Sequence, residues 1–485
     1  MLDNHLSRRS VVAAAVGGGA ACYLGATLLG SQANVSRRAL SAGGVVDVRA
    51  FGAQGDGRTD DTAAFTAALR AADVISVPAG TFIVSQVAVP GGKTMLTQGA
   101  NTILQQRRGL PSGTPVLRVT GSNVEIGSLK IIGNIATDRG EWMHAVAIHP
   151  SRFTGTISDV RIGDIIGENI RGDVVEIYPR APYDAVRIRI GHLVGNNVLR
   201  AVASICGGED IEIRSCTGRR VGYSHFTVEP DAPCTPARNV RVGQVTGRHA
   251  IVAPVSPAVV ADGVSIATLD LDPAYALGSS PEYSHRGSAG MAGLVLRNCR
   301  SLNIGTFRAK GFAGPAIEQL FNRGELSRQE LRIDQAEISD CNRAASPDEA
   351  YVVGAPDVTH LVIGRLAITL GRHGDNGIQS CYGAEIGPVE AVLGRGARLF
   401  RDLRGGVIGP VHAPSGVGTL IISGDGTEFR GGDIAVEVLG SYSSRLRFHD
   451  ATLKGRFEGP GCNSHAVENA SLNSRFYRSA SGLGC

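Results

Sequence analysis

The feature that most constrains this chain is a short unit that returns from one end to the other: an apolar residue, a variable and usually polar one, Ile or Val, and usually glycine. Early copies read Val124-Glu125-Ile126-Gly127, Val160-Arg161-Ile162-Gly163 and Ile188-Arg189-Ile190-Gly191. Late ones read Leu361-Val362-Ile363-Gly364 and Ala384-Glu385-Ile386-Gly387, and glycine-free variants such as Ile211-Glu212-Ile213 and Leu331-Arg332-Ile333 fill the gaps. Eleven copies are visible, mostly 22 to 30 residues apart. Each alternates buried and outward positions, the signature of a short strand with one covered face. A period of this size without a helical pattern inside it predicts a single-stranded, right-handed parallel β-helix, an all-β fold with three strands per coil and at least eleven coils. The glycine is read as the bend into the next strand. Leucine-rich repeats share the period, but their Leu/Asn signature is missing.

Length alone would suggest two or three domains at 485 residues, but a solenoid lengthens one core by adding coils. The composition suits this: 65 glycines, 5% aromatics and 19% charged residues leave little for long exposed helices. The segment Thr59–Leu69 reads as a short amphipathic helix with Thr59 or Asp60 as its N-cap, covering the first coil. Residues 45–440 are assigned to the β-helix with this cap, and 441–485, where the unit is lost, to a C-terminal cover.

Residues 1–33 read as a twin-arginine signal: Arg8-Arg9 precedes an Ala/Gly/Leu run, and Gly30-Ser31-Gln32-Ala33 offers a cleavage point, with 34–44 as linker. A membrane anchor is the competing reading, but three successive glycines weaken the run. Lipidation at Cys22 would call for a branched residue where Gly19 stands. The expected location is therefore periplasmic or secreted, reached through the twin-arginine export machinery. Nine cysteines show no CxxC pair and no metal spacing. Cys216, Cys299 and Cys341 end apolar strands and read as small buried hydrophobes, with Cys462 and Cys485 the one candidate disulfide.

The segment from Val46 to Phe65, with Asp56-Gly57-Arg58-Thr59-Asp60-Asp61-Thr62 at its centre, closely resembles the opening of the pectate-lyase-like (pectin lyase fold) superfamily. Val77-Pro78-Ala79-Gly80-Thr81-Phe82 extends the resemblance. It implies the β-helix and a polysaccharide ligand, but that superfamily includes lyases, hydrolases, epimerases and non-catalytic binders, so it leaves the reaction open. The polygalacturonase "NTDG" and "RIK" signatures are absent.

Stacked coils should display a site as a column. Aligning Val146–Pro150, Val175–Pro179, Ala203–Gly207, Phe226–Pro230 and Ala250–Pro254 gives one outer column of His149, Tyr178, Cys206, Glu229 and Ala253. The column beside it is Ala147, Glu176, Ser204, Thr227 and Ile251. His149 and Tyr178 would stand on adjacent coils about 5 Å apart. Trp142, Arg180, His225 and Asp231 fall just beyond the strand ends. Two chemistries suit this set. In β-elimination, His149 and Tyr178 act as base and acid, or the reverse, while Arg180 pairs the uronate carboxylate. In inverting hydrolysis, Glu176 and Glu229 act as acid and base across about 10–12 Å of backbone separation. Asp173 is read as a turn cap. The irregular segment 270–293, with Tyr275, Tyr283, His285 and Arg286, is a candidate groove wall, and Arg372–Asn376 a plain polar turn.

No metal ligand set is assigned and no cofactor is required. Calcium would suit carboxylates beside a uronate, though no Asp-rich loop provides a dedicated site. A net charge of +4 favours an acidic polysaccharide as partner but is too weak for nucleic acid. The leading expectation is an exported polysaccharide lyase, monomeric or trimeric, with a hydrolase or a non-catalytic carbohydrate-binding or export-assembly protein as alternatives. A uronate epimerase would share the base.

Overall fold

The computed structural model describes residues 44–472 apart from 138–139, 141, 255–258, 276–291, 321–328, 342–350, 356–357, 372–374, 380–381, 459–464 and 469–470. The signal segment, His285, Arg286, Tyr283 and the Cys462–Cys485 pair lie outside the described residues. Every strand pairing within the ladders is parallel, and the chain winds as a right-handed parallel β-helix.

Three sheets run the length of the solenoid. The first holds the repeat unit, with Val124–Ile126, Val160–Ile162, Ile188–Ile190 and Ile211–Ile213 in register. The second follows the glycine bend, from Leu129–Ile132 through Ile165–Ile170 to Leu193–Val198. The third runs through Leu117–Val119, Val146–Ile148, Val175–Ile177, Ala201–Ile205, Ser224–Val228, Ala250–Val252 and Leu294–Leu296. Inward side chains of all three form one continuous apolar core, including the buried Ile162, Ile190 and Ile213 of the unit. Each fully buried Val, Ile or Leu contributes roughly 1.5–3 kcal/mol of transfer free energy.

The unit's glycine has a different cause from the one its sequence suggests. Gly163, Gly243, Gly305 and Gly364 do not occupy the left-handed region. A Cβ at Gly163 would sit 2.6 Å from Ser128 N, and one at Gly305 2.6 Å from Ala267 O, so the adjoining coil excludes any side chain. The sharp turn is made one step before the unit, where Asn123, Asp159, Asp210 and Asn239 adopt positive φ, as short polar residues tolerate.

The capping helix spans Thr62–Ala71, three residues later than expected, with Asp61 as N-cap. Asp56–Asp60 is instead a strand paired with Gly80–Val84. The Asp61 carboxylate accepts from Gln54 N at 2.7 Å and Gly55 N at 3.2 Å, tying the preceding loop to the helix. Phe65 of the helix packs edge-on against Phe82 of that strand pair.

At the other end the ladder continues past Ser441. Asp425–Ser441 pairs with Arg447–Glu458, which pairs in turn with Ala466–Glu468. The described residues beyond 441 thus form further coils rather than a separate cover. Phe400, Phe429, Phe448 and Phe457 take over inward positions there, with ring centroids 5.0 to 6.1 Å apart. Large rings fill the core where the Ile-Gly unit fades, which is why the sequence appeared to change register. Cys216, Cys299 and Cys341 are buried and form no disulfide among the described residues, as their strand-end positions suggested.

A candidate active site on the third sheet

The longer connections leave the third sheet, over residues 149–156, 178–184 and 229–236, so its outer face is where chemistry can be built. Its pairings are Ala147↔Glu176, Glu176↔Ser204, Ser204↔Thr227 and Thr227↔Ile251, the register read from the sequence. The ladder carries on through Tyr178 N to Ile148 O at 3.0 Å and Glu229 N to Ile205 O at 3.0 Å.

This outer column is not solvated. Glu176 is 2% exposed and Thr227 fully buried. What covers Glu176 is His144, in the segment leading into Val146–Ile148. A Cβ at Gly172, on the following coil, would lie 2.8 Å from His144 Nδ1, so glycine there leaves the imidazole its space. His144 Nε2 is 2.9 Å from Glu176 Oε2, and His149 Nε2 is 2.8 Å from the same oxygen. One buried carboxylate oxygen therefore accepts from two histidines.

The chain of contacts extends inward. His144 Nδ1 is 3.2 Å from Asp173 Oδ2. Asp173, fully buried, takes Arg200 Nε at 3.3 Å on each oxygen and Ala201 N at 2.8 Å on one. The Arg200 guanidinium lies 4.6 Å above the Trp142 ring, whose centroid is 6.1 Å from that of His144. Trp142 thus contributes as a lid on the buried charges, a cation–π placement that suits a desolvated arginine.

Electrostatics fix the protonation state. Burial alone would push the His144 imidazole down, but the charge of Glu176 and hydrogen bonds to Asp173 and Glu176 outweigh it and raise the pKa to about 9. Burial would likewise push the Glu176 carboxyl up, yet His144 and His149 hold it well below its ordinary value. His144 Nδ1 also stands 3.0 Å from the Asp173 backbone nitrogen, a donor that would favour a bare nitrogen. Two carboxylates outweigh one N–H, so His144 is an imidazolium. The buried set, with Asp173 and Glu176 negative and His144 and Arg200 positive, is then neutral as a whole, the condition under which buried charges are tolerable.

His149 is the outlet of this network. Its side chain is 24% exposed and its Nε2–H donates to the Glu176 carboxylate at 2.8 Å. Its ring centroid is 6.0 Å from Tyr178 on the next coil. The half-buried Tyr178 hydroxyl in turn hydrogen-bonds the Cys234 thiol, which burial raises above its ordinary pKa. The loop after His149 presents Phe153, 83% exposed, with Arg152 4.6 Å from its ring. Thr154 Oγ1 donates to His149 O at 3.3 Å and holds that loop against the strand.

The remaining sequence candidates fall out differently. Arg180 is exposed beside Tyr178, its N–H donating to Pro150 O at 2.9 Å. Asp231 is half-buried at the start of a loop that Pro233 O joins to Ala181 N at 2.9 Å. Glu229 is held by Tyr223 Oη at 2.7 and 2.9 Å. His225 is corrected: it is fully buried rather than at a groove edge. Burial pushes its pKa down to about 4, and its Nδ1 accepts from Arg248 N at 3.1 Å. Tyr275 ends a short 3-10 turn, Pro273–Tyr275. Asn376 begins a strand, Asn376–Gln379, while residues 372–374 of the expected turn lie outside the described residues.

Sequence reasoning missed His144 and Arg200 and took Asp173 for a turn cap. Extending the same column alignment two residues upstream would have set His144, Asp173 and Ala201 side by side. His144, Asp173 and Glu176 also carry the donor types of a cation site, with ligand atoms within 4.8 Å of one another. With His144 protonated the charges already balance, so a divalent ion would have to displace that proton.

Comparison with known proteins bears on the fold. Residues 45–121 match a family model described as rhamnogalacturonase A/epimerase, pectate lyase-like, a span that ends before Trp142. No curated protein matches the chain by sequence. Among solved structures, the pre-mature gene product 12 of bacteriophage phi29 is similar at 12% identity and a TM-score of 0.48, over 89% of this chain and 73% of that one. The mannuronan C-5 epimerase AlgE4 A-module of Azotobacter vinelandii is similar at 13% identity and a TM-score of 0.29, over 90% and 98%. The catalytic unit of a GH87 alpha-1,3-glucanase from Streptomyces thermodiastaticus gives 12%, 0.28, 92% and 72%.

Proposed function

We propose that this protein is an extracytoplasmic polysaccharide lyase that cleaves a uronate-containing polymer by β-elimination at the His149 strip. The observation that carries this reading is the single hydrogen bond between His149 Nε2 and a buried, ionised Glu176. A carboxylate in that position fixes the ring's tautomer and orientation and steadies the imidazolium that proton abstraction creates. The pectate-lyase-like match of residues 45–121 supports a polysaccharide as the ligand class.

The scheme balances without a cofactor. His149 Nδ1 takes the C5 proton of the uronate, the C5–H electrons form the C4–C5 double bond, and the C4–O bond breaks. Tyr178, on the adjoining coil, gives its proton to the departing oxygen. The exposed Arg180 pairs the uronate carboxylate and acidifies C5. Phe153 offers an apolar face on which a sugar ring can stack. A uronate epimerase would use the same base and the same carboxylate neutralisation, then return a proton to the opposite face.

The geometry speaks against hydrolysis by Glu176 and Glu229. A general acid needs an elevated pKa and access to the glycosidic oxygen. Glu176 has the opposite shift and lies beneath two histidines.

The test is incubation of the mature chain with a panel of acidic bacterial and plant polysaccharides, following ultraviolet absorbance of the unsaturated product and reducing ends together. Rising absorbance that is lost in His149→Ala and strongly reduced in Tyr178→Phe is expected. New reducing ends without absorbance would replace the lyase reading with hydrolysis. Solvent deuterium entering C5 without cleavage would replace it with epimerisation.

A further inference from the structure

A second surface, away from the His149 strip, has the character of a binding site. Along the bend between the first and second sheets runs a groove of about 490 Å³. It crosses five coils, joined by the pairings Glu212↔Arg241, Arg241↔Ser265, Ser265↔Asn303 and Asn303↔Arg332. At the normal strand spacing that is about 19 Å of length.

The groove's shape follows from the fold. The unit's glycines lie at the bend, and a Cβ at Gly243 would meet Arg214 O at 2.5 Å, so stacking forbids side chains there. Its charge does not follow from the fold. The acids are already engaged: Glu212 by Arg189 at 3.1 Å and Asp334 by Arg332 at 3.0 Å. Arg214 and Arg241 are exposed, line the groove from adjacent coils, and have no hydrogen-bond or ion-pair partner among the described residues. Ser265 and Asn303 supply neutral donors and acceptors farther along.

We infer that this groove binds an extended acidic glycan, the anionic groups taken by Arg214 and Arg241 and the hydroxyls by Ser265 and Asn303. Uncompensated guanidinium groups match carboxylate or sulfate by charge-assisted, bidentate bonds. A straight groove with polar side chains repeating at each coil matches a linear polymer better than a compact ligand. The inference does not depend on what the His149 strip catalyses.

The experiment is isothermal titration of the full chain with sodium alginate and sodium polygalacturonate, with dextran as the neutral comparison and a duplex DNA oligonucleotide as a competing polyanion. At least one acidic glycan is expected to bind, more weakly as salt rises. Arg214→Ala/Arg241→Ala should weaken that binding about tenfold or more, equivalent to roughly 1.4 kcal/mol, whether or not His149 is intact. Circular dichroism should show the double variant folded, as both side chains are exposed. Unchanged affinity in the double variant would overturn the assignment, as would equal binding of dextran. So would absence of binding to either acidic glycan, or tighter binding of DNA than of both.

Discussion

The third sheet carries two contrasting outer faces on one ladder. From Ala147 to Thr227 the outer column is mainly polar, and its centre is the ionised set of Asp173, His144, Glu176 and Arg200. One coil further, Ile251 pairs with Val295, and together with Ala253 and Ala292 they make a small buried apolar cluster. Backbone, strand direction and spacing are the same in both regions. The solenoid demands only that the inward positions be apolar; it accepts hydrocarbon or charge on the outside when something covers it. The apolar cluster shows that covering this face needs no ions. Buried ion pairs seldom improve on hydrocarbon in stability, so stability alone does not account for the charged stretch, which suits the reaction proposed at His149.

The comparison would break first at Glu176. Glu176→Gln removes one of the two carboxylate charges beside His144 and should cost about 3–5 kcal/mol, the range for stranding a buried partner. Turnover should vanish as well, because His149 loses its orienting carboxylate. Ile251→Val, in the apolar stretch, should cost only about 0.5–1.5 kcal/mol and leave turnover intact. Urea denaturation of the two variants beside the parent measures both; equal costs would mean that the charged stretch is not a special environment.

A smaller effect separates the regions by pH. His144 sits above its ordinary value, at about 9. Its share of stability is therefore full below about pH 6.5 and is lost as pH rises through about 9. Glu176 sits below its ordinary value, so its share is present above about pH 4.5 and is lost on acidification. Thermal unfolding should show a decline in the parent between pH 6.5 and 9.5 that is absent in His144→Gln and unchanged in Ile251→Val. A parallel decline in all three proteins would remove His144 from the account.

Much of this was legible in the sequence. The Ile-Gly unit specified the coils, and alternation within Val146–Pro150 and Val175–Pro179 placed His149, Tyr178 and Glu176 in the correct columns. Depth was not legible. Alternation assigned Glu176 to an outer face, and an outer face reads as solvated unless the loops above it are known. His144 lies in the lead-in to its strand, two residues upstream of the aligned segment and so outside the span that the column alignment covers. The C-terminal coils were obscured because Phe429 and Phe448 replaced the small branched residues of the unit. The helix start was displaced because Asp56–Asp60, rich in helix-capping side chains, is recruited into a strand by Gly80–Val84.

The most direct test of the central claim is a pH titration of the protein labelled with 15N at histidine, following the side-chain nitrogens of His144 and His149. The buried network requires His144 to carry both protons through neutral pH and to release one near pH 9, while His149 keeps a proton on Nε2 facing Glu176. A His144 already neutral at pH 7, with Nδ1 accepting from the Asp173 N–H, would contradict it and leave Glu176 a buried charge without its counter-ion.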